Sequence, residues 1–467
     1  MMKMKKNNMD KLFGTDGIRG ISNVWPMTPD LILKIAQCAG HALVKKNNNR
    51  SNSSRRPVAV IGKDTRLSGY MFENLLTAGL ISVGVDVFLL GPIPTPAVSM
   101  LVTSLRADFG IMISASHNPA EDNGIKFFNS NGNKISSNEQ DIIQSLVEQN
   151  IMMASSERLG KAKRIDDAYG RYIQFVKNSF PKDLTLKGLK IVIDCANGAA
   201  YKIAPTVLWE LGADVVSIAC EPNGHNINKN CGATSLGMLQ ERVLKEGAHC
   251  GIALDGDADR IIMVDEKGEV ACGDQLIALI ATRFNELGML KESSIVSTVM
   301  SNVGLDIYLK KQGISVHRSG VGDRLVLDMM NEKNINVGGE PSGHIILSDY
   351  VKSGDGLLCA LQILAILKQK EVSFSEISNL FKPIPQVLKN ISEVDRSILD
   401  DISFNKFIDD VKNDLIPNGQ LLVRASGTEP IIRIMAQDSN EEKLEEVIQK
   451  ISNFLNYNDF NLKKCNK

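Results

Sequence analysis

The sequence predicts an α/β protein, with three similar α/β units followed by a smaller α+β unit. Three observations point there: short apolar runs alternate with helix-patterned stretches, one strand–helix–strand order recurs twice after its first appearance, and the final segment changes pattern. At 467 residues the chain exceeds what one core can hold, since a domain takes about 100 to 200 residues. Units are therefore expected at 1–160, 161–258, 259–380 and 381–467.

Taken in order, the first unit opens with Leu12 to Gly20, where glycines flank a lone arginine, Arg19, and which reads as a turn. Leu31, Ile35, Ala39 and Leu43 recur at helical spacing, and the Asn- and Ser-rich tract 47–56 reads as an exposed loop. A strand at 58–62, a helix through 75–81 and a strand at 85–89 precede the apolar run 111–113. That run ends in Ser114-Ala115-Ser116-His117-Asn118-Pro119, where the proline forces an extended or turn conformation. The second unit repeats the order: strand 190–194, helix 204–211, strand 213–218, then 251–254 entering the acidic loop 255–260. In the third, strand 294–299, helix 304–312 and strand 314–317 precede 335–337, which leads to the loop 338–344. Strands alternating with helices argue for mostly parallel pairing, which gathers ligands at the carboxyl ends of strands. A helix over 356–369 closes the unit, and Lys382-Pro383-Ile384-Pro385 reads as a linker. The last unit has a strand at 421–423, the loop 424–430, a strand at 431–435 and a helix with Leu444, Val447, Ile448, Ile451, Phe454 and Leu455 on one face.

Composition narrows the function. Hydrophobic residues make up 43% and charged residues 23%, ordinary for a soluble globular protein. The formal net charge of -1 gives no electrostatic footprint for nucleic acid or an anionic membrane. Lys3, Lys5 and Lys6 are not followed by the apolar stretch of a secretory signal, and no run is long enough to span a bilayer, so a cytoplasmic location is expected. Eight cysteines stand singly without C-x-x-C pairs, which favours small core residues over zinc sites or disulfides.

Four loops carry candidate chemistry. The strand ending at 113 delivers two candidate nucleophiles, Ser114 and Ser116, an imidazole, His117, and, after an Asn123-Gly124 turn signal, a cation, Lys126. A serine beside a histidine also suits an ordinary polar turn, because neighbours on a strand end point apart. Asp255, Asp257 and Asp259 place three carboxylates at alternate positions, a density that a hard cation would neutralise, with magnesium the natural choice. A calcium EF-hand matches in part, with Glu266 at the closing position, but Arg260 stands where its glycine is required. Glu340, Ser342 and His344 alternate, which in an extended loop presents one face to a polyhydroxylated ligand; a capped turn reads the same way. Arg424, Ser426, Gly427 and Thr428, with Arg433 nearby, offer the donors that grip a phosphate, or equally a tight hairpin with a surface arginine.

Together, a nucleophilic serine, a cation site, a hydroxyl-reading loop and a phosphate grip imply phosphoryl transfer on a phosphorylated sugar. With Gly14-Thr15-Asp16-Gly17-Ile18-Arg19-Gly20 and the four loops in order over nearly the whole chain, the sequence resembles the α-D-phosphohexomutases. The resemblance implies a four-domain, heart-shaped enzyme around a central cleft. It makes Ser116 a phosphoserine and gives Asp255, Asp257 and Asp259 to Mg²⁺, with the serine phosphate as a further ligand. Lys126 and Arg19 would manage proton transfer at the sugar hydroxyl beside His117, with Lys126 a base if neighbouring cations lower its pKa. Glu340, Ser342 and His344 would read the sugar together with Arg260, and Arg424, Ser426, Gly427, Thr428 and Arg433 would hold its phosphate. The implied reaction isomerises glucosamine 6-phosphate to glucosamine 1-phosphate through a 1,6-bisphosphate, feeding UDP-N-acetylglucosamine and the cell wall. Pro341 departs from the glutamine usual in amino-sugar members, which leaves mannose and glucose phosphates as alternative substrates. A non-catalytic phosphosugar binder should have lost Ser116 or an aspartate. The implied partner is a small phosphosugar, with no nucleic acid and no membrane; a homodimer is compatible.

Overall fold

Four sheets follow one another along the chain in a computed structural model that describes residues 11–14, 16–47, 55–392, 395–415, 419–425 and 431–465. The first holds β1 (Ile18–Ile21), β2 (Val58–Lys63), β3 (Asp86–Pro92), β4 (Phe109–Ile113), β5 (Asp122–Asn129) and β6 (Ala162–Arg164), in the order β1-β5-β4-β2-β3-β6. The second holds β7 (Lys190–Asp194), β8 (Asp214–Ile218), β9 (Cys250–Leu254), β10 (Ile261–Asp265) and β11 (Val270–Ala271), in the order β11-β10-β9-β7-β8. In the third, β12 (Ser294–Thr298), β13 (Ser315–Ser319), β14 (Val337–Gly339) and β15 (Ile345–Leu347) run β13-β12-β14-β15. The last, β16 (Gln386–Ser392), β17 (Gln420–Ala425) and β18 (Ile431–Gln437), is wholly antiparallel. Three α/β units and a smaller α+β unit are thus present.

The pairing is less parallel than the sequence suggests. Parallel strands fill the middle of each α/β sheet, joined by helices such as Ser68–Ser82, Ile203–Glu210 and Val303–Lys311. The strand that enters each chemical loop then doubles back on itself: β4–β5, β9–β10 and β14–β15 are antiparallel hairpins. A short buried apolar run does not disclose the direction of its neighbour. The second sheet consequently continues through Ala271, past the boundary expected at 258. β14 likewise extends two residues beyond 337, where Gly338 and Gly339 pair with Ile346 and Ile345; helix Asp323–Glu332 lies close to it, and a Cβ on Gly338 would be 2.5 Å from the Met330 sulfur.

One hydrophobic core runs through the first three units, and helix Gly356–Lys370 lies within it. Every residue of that helix from Gly356 to Leu367 is buried, the signature of a helix apolar on all sides. Its first turn is capped by Asp355, whose Oδ1 accepts from Leu358 N at 2.9 Å while Oδ2 accepts from Tyr172 Oη at 2.9 Å. Burial raises the Asp355 carboxyl to about 6 despite these donors. The folded state therefore holds this proton more tightly than the unfolded one, so the contribution is full below the unfolded pKa and lost as pH rises through 6. The shift corresponds to about 3 kcal/mol. Asp355→Asn keeps the capping carbonyl and removes the charge; its thermal midpoint should exceed that of the parent at pH 8, with the advantage shrinking as pH falls. Melting curves at pH 8 and pH 5 that show equal gaps would contradict this.

The C-terminal unit has its own core between its sheet and helices Ile402–Leu415 and Glu441–Cys465. It docks on the third unit through Gln437, which accepts from Val303 N at 2.8 Å and donates to Ser301 O at 3.4 Å. Of the cysteines, Cys38, Cys195, Cys231, Cys250 and Cys359 are buried, and Cys220 and Cys272 half-buried. Among the described residues no helix is long and apolar enough to cross a membrane.

Candidate active site

Ser116 sits in the bend of the first hairpin with φ of +54°, a left-handed conformation that costs a non-glycine residue on the order of 1–3 kcal/mol. Its peptide groups are held on both sides. Ser116 N donates to Ser114 Oγ at 2.9 Å, and Ser114 Oγ in turn donates to Asp64 Oδ2 at 2.6 Å. Ser116 O accepts from Arg66 Nη2 at 3.0 Å and from Asn228 Nδ2 at 2.9 Å. The side chain so placed is 1% exposed, and its hydroxyl donates to Asp255 Oδ2 at 2.6 Å. His117 Nδ1 lies 3.4 Å from the same oxygen, and burial, with Arg260 and Arg19 nearby, lowers this imidazole to about 4.

Asp255, Asp257 and Asp259 occupy the bend of the second hairpin and are all buried, with ligand oxygens within 4.8 Å of one another. Asp257 Oδ1 and Asp259 Oδ1 are buried with no hydrogen-bond partner among the described residues. Three carboxylates converging in so small a space, with Asp259 Oδ1 met only at longer range by His344 Nδ1 at 3.6 Å and Arg260 Nε at 4.0 Å among the described residues, fit a hard divalent cation. Burial, reinforced by Asp259 and Asp257, pushes the Asp255 carboxyl well up. Asp259 is held well down, because Lys126 and His344 outweigh burial.

Lys126 differs from expectation. Its Nζ, 1% exposed, lies 2.8 Å from Asp257 Oδ2, 3.1 Å from Asp259 Oδ2 and 3.4 Å from Asp16 Oδ2. Burial opposes the charge, but these three carboxylates outweigh it and raise the Lys126 pKa well above the usual lysine range, the reverse of the lowering on which a role as base was expected to depend. The network continues outward. Asp16 also pairs with Arg19 and Lys134, Lys134 with Asp323, and Asp323 Oδ2 lies 3.6 Å from His344 Nε2. Arg19 further donates to Ala115 O at 3.1 Å, behind the serine.

In the bend of the third hairpin, Glu340 Oε1 accepts from Gly322 N at 3.0 Å, and Ser342 Oγ lies 3.5 Å from Glu340 Oε2. His344 is buried and turned to the acidic loop, with Nδ1 3.6 Å from Asp259 Oδ1. Gly343 packs directly on the second hairpin. Ile261 N donates to Gly343 O at 3.0 Å, and a Cβ on Gly343, at φ +86°, would lie 2.0 Å from Ile261 O. Arg260 has a buried Nε without a hydrogen-bond partner among the described residues, 4.0 Å from Asp259 Oδ1 in a longer ion pair.

Arg424 lies within β17, not in the loop after it, directly opposite Arg433 on β18. Burial and Arg433 both lower the Arg424 pKa. Two guanidiniums facing across a strand pair together offer a set of donors suited to an anion. Ser426, Gly427 and Thr428 lie outside the described residues. In the phosphate-gripping role that the sequence implies, Arg424→Ala should raise KM about 10- to 100-fold with kcat nearly unchanged, the loss of a charge-assisted bond outside the reacting centre. Steady-state kinetics check this; a large fall in kcat alone would place Arg424 at the chemical step.

Several site residues escaped the sequence reading. Asp16 was legible only within a glycine-rich motif, and nothing in the sequence singled out Asp64 or Arg66, which follow β2. Thr95 Oγ1 donates to Asp257 Oδ2 at 2.5 Å across 162 positions, which no local pattern could signal.

Four family profiles, all described as phosphoglucomutase/phosphomannomutase, match consecutive parts of the chain: alpha/beta/alpha domain I over 10–152, domain II over 170–268, domain III over 272–384, and the C-terminal domain over 375–454. A phosphoglucosamine mutase of Rhizobium johnstonii is 52% identical over 443 residues, covering 94% of this chain and 97% of that protein. One from Paramagnetospirillum magneticum is 51% identical over 446 residues, with 94% and 97% covered. Among solved structures, a phosphoglucomutase/phosphomannomutase family protein from Burkholderia thailandensis has the same fold, with a TM-score of 0.78 at 22% identity over 94% of this chain and 95% of that one. Aspergillus fumigatus N-acetylphosphoglucosamine mutase, solved in complex with GlcNAc-6P and magnesium, matches with a TM-score of 0.66 at 17% identity, covering 95% of each chain.

Proposed function

Because this chain belongs to the phosphoglucomutase/phosphomannomutase family, within the α-D-phosphohexomutases, we propose that it is an intramolecular phosphotransferase interconverting glucosamine 6-phosphate and glucosamine 1-phosphate. The observation that carries this reading is the Ser116 hydroxyl, buried and strained, 2.6 Å from a carboxylate of the acidic triad. Similarity at 52% identity to phosphoglucosamine mutases supports the amino-sugar substrate.

In this reading Ser116 carries a phosphoryl group. The sugar's free hydroxyl attacks phosphorus, the bond to Ser116 Oγ breaks, and glucosamine 1,6-bisphosphate forms. The proton lost by the sugar hydroxyl is balanced by the one Ser116 Oγ gains, and the neutral His117 ring, 3.4 Å from that oxygen, can carry it. The bisphosphate turns over in the site, and the bare serine takes back the other phosphoryl group. Lys126 serves as a fixed positive charge beside the transferring group. Arg19 holds the back of the serine loop through Ala115 O. Arg424 and Arg433 hold the non-reacting phosphate of either sugar orientation, and Glu340, Ser342 and Arg260 meet the hydroxyls. Mg²⁺ is the ion we assign to Asp255, Asp257 and Asp259, with the serine phosphate as a further ligand; when bound it would neutralise charge on the moving phosphoryl group. A cytoplasmic setting and a homodimer complete the reading.

A coupled assay across glucosamine, glucose and mannose 6-phosphates tests it. Pro341 O accepts from Gly273 N at 3.2 Å, a main-chain bond that glutamine at this position would keep, so the loop's path should survive the substitution. We expect kcat/KM to be highest for glucosamine 6-phosphate, and Pro341→Gln to sharpen the preference by at most about tenfold. A higher value for mannose 6-phosphate would overturn the substrate and leave the mutase standing; no turnover of any of the three would leave a phosphosugar binder.

A further inference from the structure

Two side chains from different units converge on the same pair of backbone oxygens in the serine loop. Arg66, in the turn after β2, is fully buried and donates through Nη2 to Ser116 O at 3.0 Å and Asn118 O at 2.9 Å. Its Nη1 donates to Asp122 O at 3.0 Å and to Pro119 O, and its Nε to Asp64 Oδ2 at 2.8 Å. All five guanidinium donors are thereby spent on one loop and the carboxylate that holds it. Asn228, in the second unit, donates through Nδ2 to Ser116 O and Asn118 O, each at 2.9 Å, and its backbone is anchored by Asn228 N to Ala196 O at 2.9 Å. The acidic loop closes on the same place: a Cβ on Gly256 would lie 2.6 Å from Ser116 O.

We propose that Arg66 and Asn228 are positioning residues for phosphoryl transfer. They form a clamp, one jaw in each unit, that keeps Ser116 in its left-handed conformation and its Oγ in register with the acidic loop. The inference rests on Ser116 being the phosphoryl carrier. Neither residue touches the reacting atoms, so each acts through the serine backbone. Lysine at 66 would keep the charge but lose the fork and two of the five donors.

The test is turnover of glucosamine 6-phosphate by the full chain carrying Arg66→Lys, Asn228→Ala or Ser116→Ala, with intact mass and thermal midpoint measured on each. The clamp predicts a kcat about 100-fold lower for both clamp variants, as for a reacting group displaced by an ångström, with KM little changed. It also predicts that this loss persists when the rate is expressed per folded, phosphorylated chain. A rate per folded, phosphorylated chain equal to that of the parent would overturn the proposal and leave the two residues a purely structural part. So would a rise in KM at constant kcat. Should Arg66→Lys or Asn228→Ala fail to fold, Asn228→Gly decides, since glycine accepts the φ of +57° at this half-buried position without strain. Turnover surviving Ser116→Ala would instead remove the carrier reading on which the clamp depends.

Discussion

Ser116→Ala is expected to yield a folded chain that bears no covalent phosphate and loses turnover by more than about a thousandfold, as when a nucleophile is removed outright. No neighbouring hydroxyl can take over, because Ser114 Oγ, the nearest in sequence, is fully buried and committed to Asp64 at 2.6 Å. Folding should survive, since Asp255 keeps its bond from Arg260 N at 3.1 Å. Ser116→Gly gives an independent check: glycine accepts a φ of +54° without strain, so it should be as inactive as the alanine variant yet more stable by about 1 kcal/mol. Intact mass with and without phosphatase, together with turnover and melting curves, measures all three quantities. Phosphate remaining on Ser116→Ala would move the carrier elsewhere.

Asp257→Asn is expected to have the next largest effect. Asp257 contributes a buried, unpartnered oxygen to the triad, and an amide there halves its appeal to a hard cation while leaving Thr95 a partner. Magnesium binding followed by calorimetry should weaken, and kcat should fall about a thousandfold, the several kcal/mol that a cation supplies to a phosphoryl transition state. The thermal midpoint should move little, because Lys126 retains Asp259 at 3.1 Å and Asp16 at 3.4 Å. Full activity in the presence of EDTA would remove the metal from the chemistry.

Strands and helices were legible where they are periodic or continuously apolar: β7 falls at the expected residues and helix Gly356–Lys370 within a residue, whereas β5, β10, β15 and β16 were not anticipated. Strand direction was not, since nothing in Gly251 to Leu254 tells whether the next strand returns beside it. In the site, the loops could be read from their composition, but their electrostatics could not. The surroundings of Lys126 are set by Asp257 and Asp259, 131 and 133 positions away, and by Asp16, whose approach depends on β1 pairing with β5. Arg66 was invisible for a related reason: a single arginine in a polar turn has no periodicity, and its partners are main-chain oxygens that carry no sequence signature.

The hairpins that carry the three chemical loops give this architecture a particular route to diversification. Each bend rests on a buried strand pair whose register is closed beneath it, Ile113 with Ile125, Leu254 with Ile261, and Gly339 with Ile345. Substitutions at a bend can therefore accumulate without shifting the strands below. In the function proposed above, most residues that meet the sugar occupy one bend and those that move phosphate occupy the other two, so a descendant enzyme could acquire a new hexose by drift in 340–342 while inheriting the transfer step. Gly343 marks the limit of that freedom. With Ile261 O where its Cβ would be, the recognition bend is tied to the catalytic one at a position open only to glycine, and the two lineages of change meet there.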